Sequence, residues 1–341
     1  MNKIRKLSFL LIPFLLMGLL ILPGCGSANE VVVYTSVDRN FAEPILKEFE
    51  RSTGIKIKPV YDVEASKTTG LVNKLIEEKS RPRADVFWNG EIAQTIRLKD
   101  EGVLDVYASG NAKDLPENFI DPDGMWTAFG GRARVFIVNT DLVNESDYPD
   151  SIMDLLDPGY EPAQIGIALP LFGTTATQAA ALYAYLGEEE GRKYFKDLND
   201  RKISVLDGNS VVRDYVADGR LAFGLTDTDD ALGALEKGKP VSIIFPDQKD
   251  GQFGTLVIPN SVALVKGGPN KENGRKLIDY LLEEDTMKEM IESGWCQVTV
   301  RNIDARSSVE AKGIITMDVS WLEIFEQMER VNEDMKEIFN K

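Results

Sequence analysis

Short apolar runs alternate with amphipathic stretches of helical spacing along residues 30–88. Residues 30–36 (EVVVYTS) form an apolar, β-branched run, which is typical of a strand covered on both faces. Phe41, Ile45 and Phe49 then recur at helical spacing, and Gly54 ends that helix. The alternation repeats with a strand over 55–61, a helix through 71–76 and a strand over 84–88. This order predicts a parallel α/β sheet.

Two long extended segments interrupt the alternation. Residues 126–139 (WTAFGGRARVFIVN) and 254–266 (GTLVIPNSVALVK) are strand-like and lack a companion helix. Between them a second series alternates strands and helices over 165–169, 175–186, 202–206, 210–217, 221–225, 229–237 and 241–245. The pattern predicts two α/β lobes joined by a two-strand hinge, with a ligand cleft between them. We expect lobe one to comprise 26–130 and 246–341, and lobe two to comprise 131–245.

The C-terminal part is predicted to be helical. Apolar residues stripe one helix through 277–282 and another through 321–339. The last stripe either docks on its own lobe or forms a seam for a partner helix, and its few heptads favour docking.

The first 25 residues predict export and lipid attachment. Lys3, Arg5 and Lys6 precede an apolar stretch over 7–22, which is short for a membrane span and is interrupted by Pro13. Leu22-Pro23-Gly24-Cys25 follows where a bacterial lipobox would stand. We therefore expect a signal peptide over 1–24, a lipid on Cys25 and an extracytoplasmic, membrane-tethered protein. A plain signal peptide and an uncleaved anchor are the alternatives.

Composition narrows the function classes. The chain carries 39 basic and 55 acidic side chains, so its net charge of −16 disfavours nucleic acid as a partner. It contains no histidine, which removes Ser-His-Asp and Cys-His catalysis and most zinc and copper sites. Of its two cysteines, a lipidated Cys25 would leave Cys296 single, and we expect Cys296 to be a small buried hydrophobe. Nothing in the sequence predicts a cofactor.

Candidate ligand residues follow from the rule that open α/β sheets bind ligands outside the carboxyl ends of their strands. The rule selects polar residues after the predicted strands of both lobes: Ser36, Glu64, Ser66, Lys67, Thr68, Asn89, Glu91, Gly173, Thr174, Thr175, Asn209, Asp227 and Asp229.

Gly173-Thr174-Thr175 is the most specific of these groups. A glycine and two hydroxyl residues open a helix, whose free N–H groups and dipole attract a phosphate, phosphonate or carboxylate. An ordinary threonine N-cap is the alternative. Residues 66–69 (SKTT) leave the same two options with an added cation. Asn209 is either a helix cap or a ligand residue.

Residues 226–230 (TDTDD) place three carboxylates at a strand-to-helix junction. Acidic residues are favoured in a first helical turn in any case. Alternatively, these carboxylates recognise a ligand ammonium or hold a hard cation, in which case Asp229 and Asp230 are the metal candidates. Trp88 and Trp126 either line the cleft or belong to the core.

Taken together, these segments resemble the bacterial periplasmic solute-binding proteins of the ferric-ion-binding type, within the broad type II group. The resemblance covers residues 30–300. It rests on VVVYTSVDRNFAEPILKEFERSTGIKIKPVYDVEASKTTGLVNKLIEEK, ADVFWNGEIAQTIRLKDEGVL, FGTTATQ and DGNSVVRDYVADGRLAFGLTDTDD. It implies a two-lobed, usually monomeric receptor that closes on a small solute and delivers it to the permease and ATPase of an ABC importer.

The resemblance also implies roles for single residues. Ferric-type members hold a synergistic anion at the turn matching Gly173–Thr175 and with a residue matching Asn209. They bind iron through adjacent tyrosines after the strand that matches 221–225, where this chain has Asp229 and Asp230. Their acidic ligand is at best shifted to Glu91. The anion half of the site is therefore present, whereas the tyrosines are not.

The expected ligand is accordingly an anionic or zwitterionic organic molecule such as a phosphonate or phosphate ester. An aminoalkylphosphonate would place its phosphonate on 173–175 and its ammonium against Asp227 or Asp229. Ferric ion with a synergistic anion is the alternative. A ligand-sensing receptor for a membrane signalling protein is an alternative of another class. An enzyme using paired acids lacks a supporting serine, cysteine or histidine constellation, so we expect no catalysis.

Overall fold

The computed structural model describes residues 29–62, 70–298, 301, 303 and 313–339. The predictions for Cys25, Glu64, Ser66, Lys67 and Thr68 lie outside these residues. No helix in the described part of the chain has the length and apolarity needed to cross a membrane.

The first predicted series folds as a parallel sheet with helices between its strands. Strand β1 (Glu30–Thr35) pairs in parallel with β2 (Lys56–Tyr61) and with β3 (Val86–Asn89). Helix α1 (Arg39–Thr53) connects the first two strands and ends at Gly54 in the left-handed conformation, as predicted. Helix α2 (Gly70–Glu77) precedes β3, and α3 (Ala93–Asp100) and the short β4 (Leu104–Asp105) follow it.

The second predicted series also forms parallel strands. Strand β6 (Ile165–Ala168) pairs in parallel with β7 (Ser204–Leu206) and β8 (Phe223–Asp227). The helices of this series are α4 (Gly173–Leu186), α5 (Glu188–Arg201), α6 (Asn209–Ala217) and α7 (Thr228–Leu235). Strand β9 (Val241–Ile244) closes the series.

Strand β5 (Trp126–Asn139) connects the two series because it changes partner along its length. Its first part pairs antiparallel with β10 (Val257–Val265), and from Arg134 onward it pairs with β8. The described strands therefore run in the order β2-β1-β3-β10-β5-β8-β6-β7. The two predicted extended crossings are thus adjacent antiparallel strands.

Gly131 marks the point where β5 and β10 approach most closely. A Cβ at this position would lie 2.1 Å from the Ile258 carbonyl oxygen and 2.7 Å from Pro259 Cα. The register of the pair shifts between Pro259 and Asn260. Only glycine fits this close approach without movement of the backbone. Gly131, which lies opposite Pro259 at the register shift, directly precedes Arg132.

The C-terminal helices are α8 (Lys271–Leu281), α9 (Glu284–Glu292) and α10 (Trp321–Phe339). The prediction that the last helix docks on its own lobe is wrong for the boundaries given above. Helix α10 packs chiefly on α4 and α5, and it also contacts α3. The apolar stripe of α10 packs on the alanine-rich α4, and the periodicity of α10 alone does not indicate which helix it contacts.

Sequence periodicity missed helices α3, α5 and α9. Helix α5 carries Glu188, Glu189 and Glu190 in its first turn and buries Tyr194, Phe195 and Leu198, so its amphipathic signal was present. Trp88 and Trp126 are core residues. Cys296 is buried as expected, and burial raises the pKa of its thiol to about 12, which leaves the thiol unreactive.

Candidate functional site

A cavity of about 660 Å³ opens where the carboxyl ends of strands from both series meet. Helices α3, α4 and α10 and strand β5 also contribute to its wall. Seven of the predicted site residues line it: Ser36, Glu91, Gly173, Thr174, Asn209, Asp227 and Asp230. Its volume suits an organic ligand with several non-hydrogen atoms.

The amino end of α4 faces this cavity without a capping side chain. The residue at the N-cap is Phe172, which is 76% exposed, and no side chain in the described part of the chain caps the helix. The threonine N-cap alternative is therefore wrong. Gly173 has φ +57°, and a Cβ there would meet open space. The first N–H groups and the positive end of the helix dipole are thus available to an anion.

The hydroxyls of this turn are held by a buried network around Asp227. The Thr174 hydroxyl donates to Asp227 Oδ2 at 2.6 Å, and Asn209 Nδ2 donates to the same oxygen at 3.0 Å. The Thr175 hydroxyl donates to Asn209 Oδ1 at 3.2 Å. The helix-cap alternative for Asn209 is also wrong, because Gly208 is the N-cap of α6 and Asn209 is its first residue.

Arg134 is at the centre of the same network, although sequence analysis did not select it. It lies opposite Asp227 in the β5–β8 register, and its Nη1 donates to Asp227 Oδ1 at 2.6 Å. Nε donates to Gln178 Oε1 at 2.9 Å. The side chain is fully buried, yet Nη2 has no hydrogen-bond partner among the described residues. The guanidinium thus retains a donor beside the uncapped end of α4.

Each of the three carboxylates at the junction of β8 and α7 has an arginine partner. Asp227 pairs with Arg134 as above, and Asp229 Oδ2 accepts from Arg132 Nη1 at 3.3 Å. Asp230 Oδ1 accepts from Arg213 Nη1 at 3.0 Å. One ligand oxygen from each carboxylate lies within 4.8 Å of the others, close enough to share a cation. Their charges are balanced by three guanidinium groups, however.

Crowding of these carboxylates changes the protonation of Asp230. Burial, reinforced by the negative charges of Asp229 and Asp227, raises the pKa of Asp230 to about 7. Arg213 and Arg132 oppose this shift without cancelling it. Asp230 therefore changes charge near neutral pH.

The first-series residues contribute a second buried hydrogen-bond network. The Ser36 hydroxyl donates to Asn89 Oδ1 at 2.5 Å and accepts from Gly90 N at 3.0 Å. Asn89 is fully buried, and its amide also donates to the Glu91 carbonyl oxygen and to Thr95. Asn89 thus positions Ser36 and the Gly90–Glu91 turn.

Glu91 binds the first N–H groups of α3 and contacts the second series. Its carboxylate accepts from Ala93 N at 2.7 Å and from Gln94 N at 3.3 Å. Thr177 of α4 donates to Glu91 Oε1 at 3.5 Å. Burial raises the pKa of this carboxyl group, and the hydrogen bonds and Arg132 limit the increase.

Arg132 connects the two sides of the cavity. Its Nη1 contacts Asp229, and its Nη2 donates to the Gly90 carbonyl oxygen at 3.4 Å. Burial disfavours the charge, but Asp229, Asp227 and Asp230 outweigh burial and raise the Arg132 pKa. Arg132 also lines a cavity of about 100 Å³ next to the first, which is where Asp229 is exposed. The signal that sequence analysis missed was RAR, two arginines inside an apolar strand.

Comparison with known proteins gives the site a family context. A family model described as bacterial extracellular solute-binding protein matches residues 84–307. Iron uptake protein A1 of Synechocystis sp. is 25% identical over 308 residues, covering 87% of this chain and 83% of that protein. A putative 2-aminoethylphosphonate-binding periplasmic protein of Salmonella typhimurium is 26% identical over 285 residues, covering 79% of this chain and 78% of that protein.

Solved structures confirm the predicted fold class. The apo ferric ion-binding protein A of Pasteurella haemolytica superposes with a TM-score of 0.79 at 23% identity. The match covers 92% of this chain and 98% of that one. The fold is the predicted two-lobed α/β type II architecture.

Proposed function

Because the chain belongs to the family of bacterial extracellular solute-binding proteins, we propose that it captures a small organic anion or zwitterion for an ABC importer. The acid group of the ligand, a phosphonate or phosphate ester, binds at the amino end of α4. A lipid on Cys25 tethers the protein outside the cytoplasm, and the ligand passes to a membrane permease and its ATPase.

The balance of charge around Asp227, Asp229 and Asp230 is the observation that carries this proposal. Ferric ion needs free anionic ligands, whereas each of these carboxylates has a guanidinium within 3.3 Å. Placing Fe³⁺ there would bring it next to three cations. An anion at α4 instead meets the helix dipole, and the positive charge of the buried Arg134 lies behind that turn, with Nη1 3.3 Å from the Thr174 hydroxyl.

Ligand capture by closure is supported by contacts that cross the cavity. Thr177 donates to Glu91 from the opposite wall, and Arg132 contacts Asp229 and Gly90 at once. We place the two hinge crossings at residues 130/131, beside the close approach at Gly131, and at 245/246; α10 follows the second crossing but packs on α4 and α5 of the second lobe. A ligand held by both lobes favours the closed state because it has more contacts there.

A thermal-shift panel on the purified full chain tests the ligand class. The panel contains 2-aminoethylphosphonate, sugar phosphates, and ferric ion with and without phosphate. Ligand at about 100 times its Kd adds about 2.7 kcal/mol to the free energy of unfolding. We expect a shift with an organic phosphonate or phosphate, reduced in Thr174→Val and retained in the exposed control Thr140→Val. A shift with ferric ion alone would overturn the proposal.

The second candidate is ferric ion with a synergistic anion, favoured by the close grouping of the three carboxylate oxygens. Asp229→Asn with Asp230→Asn separates the two candidates. The double variant abolishes ferric binding if the carboxylates hold iron, and it leaves organic-anion binding within about threefold if they do not. Any product formed from a bound ligand would indicate an enzyme instead. A membrane sensor that responds to the ligand-bound form, without import of the ligand, would indicate a signalling receptor.

A further inference from the structure

Two amide side chains line the same cavity from helices that sequence analysis did not connect with a ligand. Gln94 belongs to the first turn of α3, and Asn332 belongs to the last helix, α10. Met328 lies one turn before Asn332 and also lines the cavity. These side chains add a polar wall contributed by α3 and α10 to the cavity that contains the amino end of α4.

Both amides contain a buried oxygen without a partner. Gln94 Oε1 and Asn332 Oδ1 are inaccessible to solvent, and neither accepts a hydrogen bond from any residue that the structure describes. A buried acceptor without a donor costs about 1–3 kcal/mol. Both residues line the cavity through their other atoms, so a ligand donor reaches these oxygens when the amides rotate towards the cavity, and that rotation recovers the free energy.

Helix α10 is held firmly enough to present Asn332 in a fixed place. Asp334 accepts from the buried Tyr183 hydroxyl of α4 at 3.0 Å and from Arg192 Nε of α5 at 3.2 Å. Arg192 also pairs with Glu337 at 2.8 Å. The position of Asn332 is therefore tied to the helix whose amino end faces the proposed anion site.

We propose that Gln94 and Asn332 form a polar subsite for the hydrogen-bond-donating tail of the ligand, a hydroxyl or an ammonium group. This inference rests on the proposed function, since the acid group is assumed to bind at α4. It deepens that function by assigning selectivity to α3 and α10, and it requires a ligand with an acid group at one end and a donor at the other. The two neutral amide oxygens can accept hydrogen bonds from either a hydroxyl or an ammonium group.

The test measures binding of three matched phosphonates to the full chain by isothermal titration calorimetry. Ethylphosphonate lacks a donor, whereas 2-hydroxyethylphosphonate and 2-aminoethylphosphonate carry one at the same distance from phosphorus. We expect the two donor-bearing ligands to bind at least about tenfold more tightly than ethylphosphonate, a preference of about 1.4 kcal/mol. Gln94→Met and Asn332→Leu should each reduce the preference to less than about threefold, chiefly by weakening the two donor-bearing ligands.

Gln327→Met is the matched control. Gln327 Oε1 is also a buried, unpartnered amide oxygen on α10, but Gln327 does not line this cavity. Its variant should keep the full preference. The inference is overturned if the preference survives in both Gln94→Met and Asn332→Leu, or if Gln327→Met removes it equally. If none of the three phosphonates binds, the proposed function fails for this ligand class, and the subsite inference fails with it.

Discussion

Breaking the buried pair between Arg134 and Asp227 should strongly destabilise the fold. Both side chains are at least 97% buried, and the Nη1–Oδ1 distance is 2.6 Å. In Arg134→Met the Asp227 carboxylate keeps its hydrogen bonds from Thr174 and Asn209 but loses the only hydrogen bond that it receives from a guanidinium among the described residues. Removing one partner of a buried pair costs about 3–5 kcal/mol, because the other charge remains buried without compensation.

Asp227→Asn should have a similar cost, and the double variant should cost less than the sum of the two. We expect a coupling energy of about 3 kcal/mol from the double-mutant cycle. The measurement is urea unfolding followed by far-ultraviolet circular dichroism and by tryptophan fluorescence, whose transitions must coincide for a two-state analysis.

The exposed pair Lys196–Asp200 is the control for this cycle. Its Nζ–Oδ2 distance of 2.7 Å is as short, but both side chains are 59% exposed. Lys196→Met should therefore change the free energy of unfolding by no more than about 0.5 kcal/mol. The reasoning is refuted if Arg134→Met costs as little as Lys196→Met, or if the two buried substitutions are additive.

Three further perturbations test separate features. The pKa of Asp230 is raised from 3.8 to about 7 in the folded state, so its stabilising contribution is complete below pH 4 and is lost as the pH rises through 7. Asp230→Asn should therefore flatten the curve of unfolding free energy against pH between pH 4 and 7. An unchanged slope in this range would contradict the argument that burial raises this pKa. Gly131→Ala should cost about 3 kcal/mol in urea unfolding because its Cβ would meet the Ile258 carbonyl oxygen, whereas Gly233→Ala in α7, with nothing within 4 Å, should stabilise by about 0.5–1 kcal/mol. Arg132→Gln should weaken ligand binding about tenfold in calorimetry. It should change the free energy of unfolding by less than about 1 kcal/mol, because the two hydrogen bonds of Arg132 are long and partly exposed. A loss of unfolding free energy as large as the loss of binding free energy would mean that Arg132 acts through folding.

Local pattern was sufficient for most of the secondary structure. The strand prediction over 126–139 agrees with β5 at both ends, because a run of β-branched and aromatic residues without helical spacing has one dominant solution. The strand predicted over 221–225 starts two residues before the observed β8 (Phe223–Asp227), so Asp227 is the last residue of β8 and does not follow it. Helix α5 was missed although its acidic first turn and apolar face are visible in the sequence.

The candidate site was only partly readable from the sequence. The carboxyl ends of parallel strands meet at one edge of a sheet, so Ser36, Glu91, Thr174 and Asn209 could be selected before their distances were known. The arginines could not be selected in this way. Arg134 reaches Asp227 only because β5 and β8, which are 93 residues apart at this pair, share a register.

The sequence by itself determined the alternation of strands and helices, the two extended crossings and the polar turns that follow the strands, because each depends on neighbours within a few residues. Tertiary structure decided which charges cancel and which polar groups remain without partners. It paired three aspartates with three arginines, placed the uncapped end of α4 in the cavity and packed α10 across α3, α4 and α5. The physical reason is that electrostatic balance and burial depend on distances between segments far apart in the chain, which a pattern of single residues does not contain.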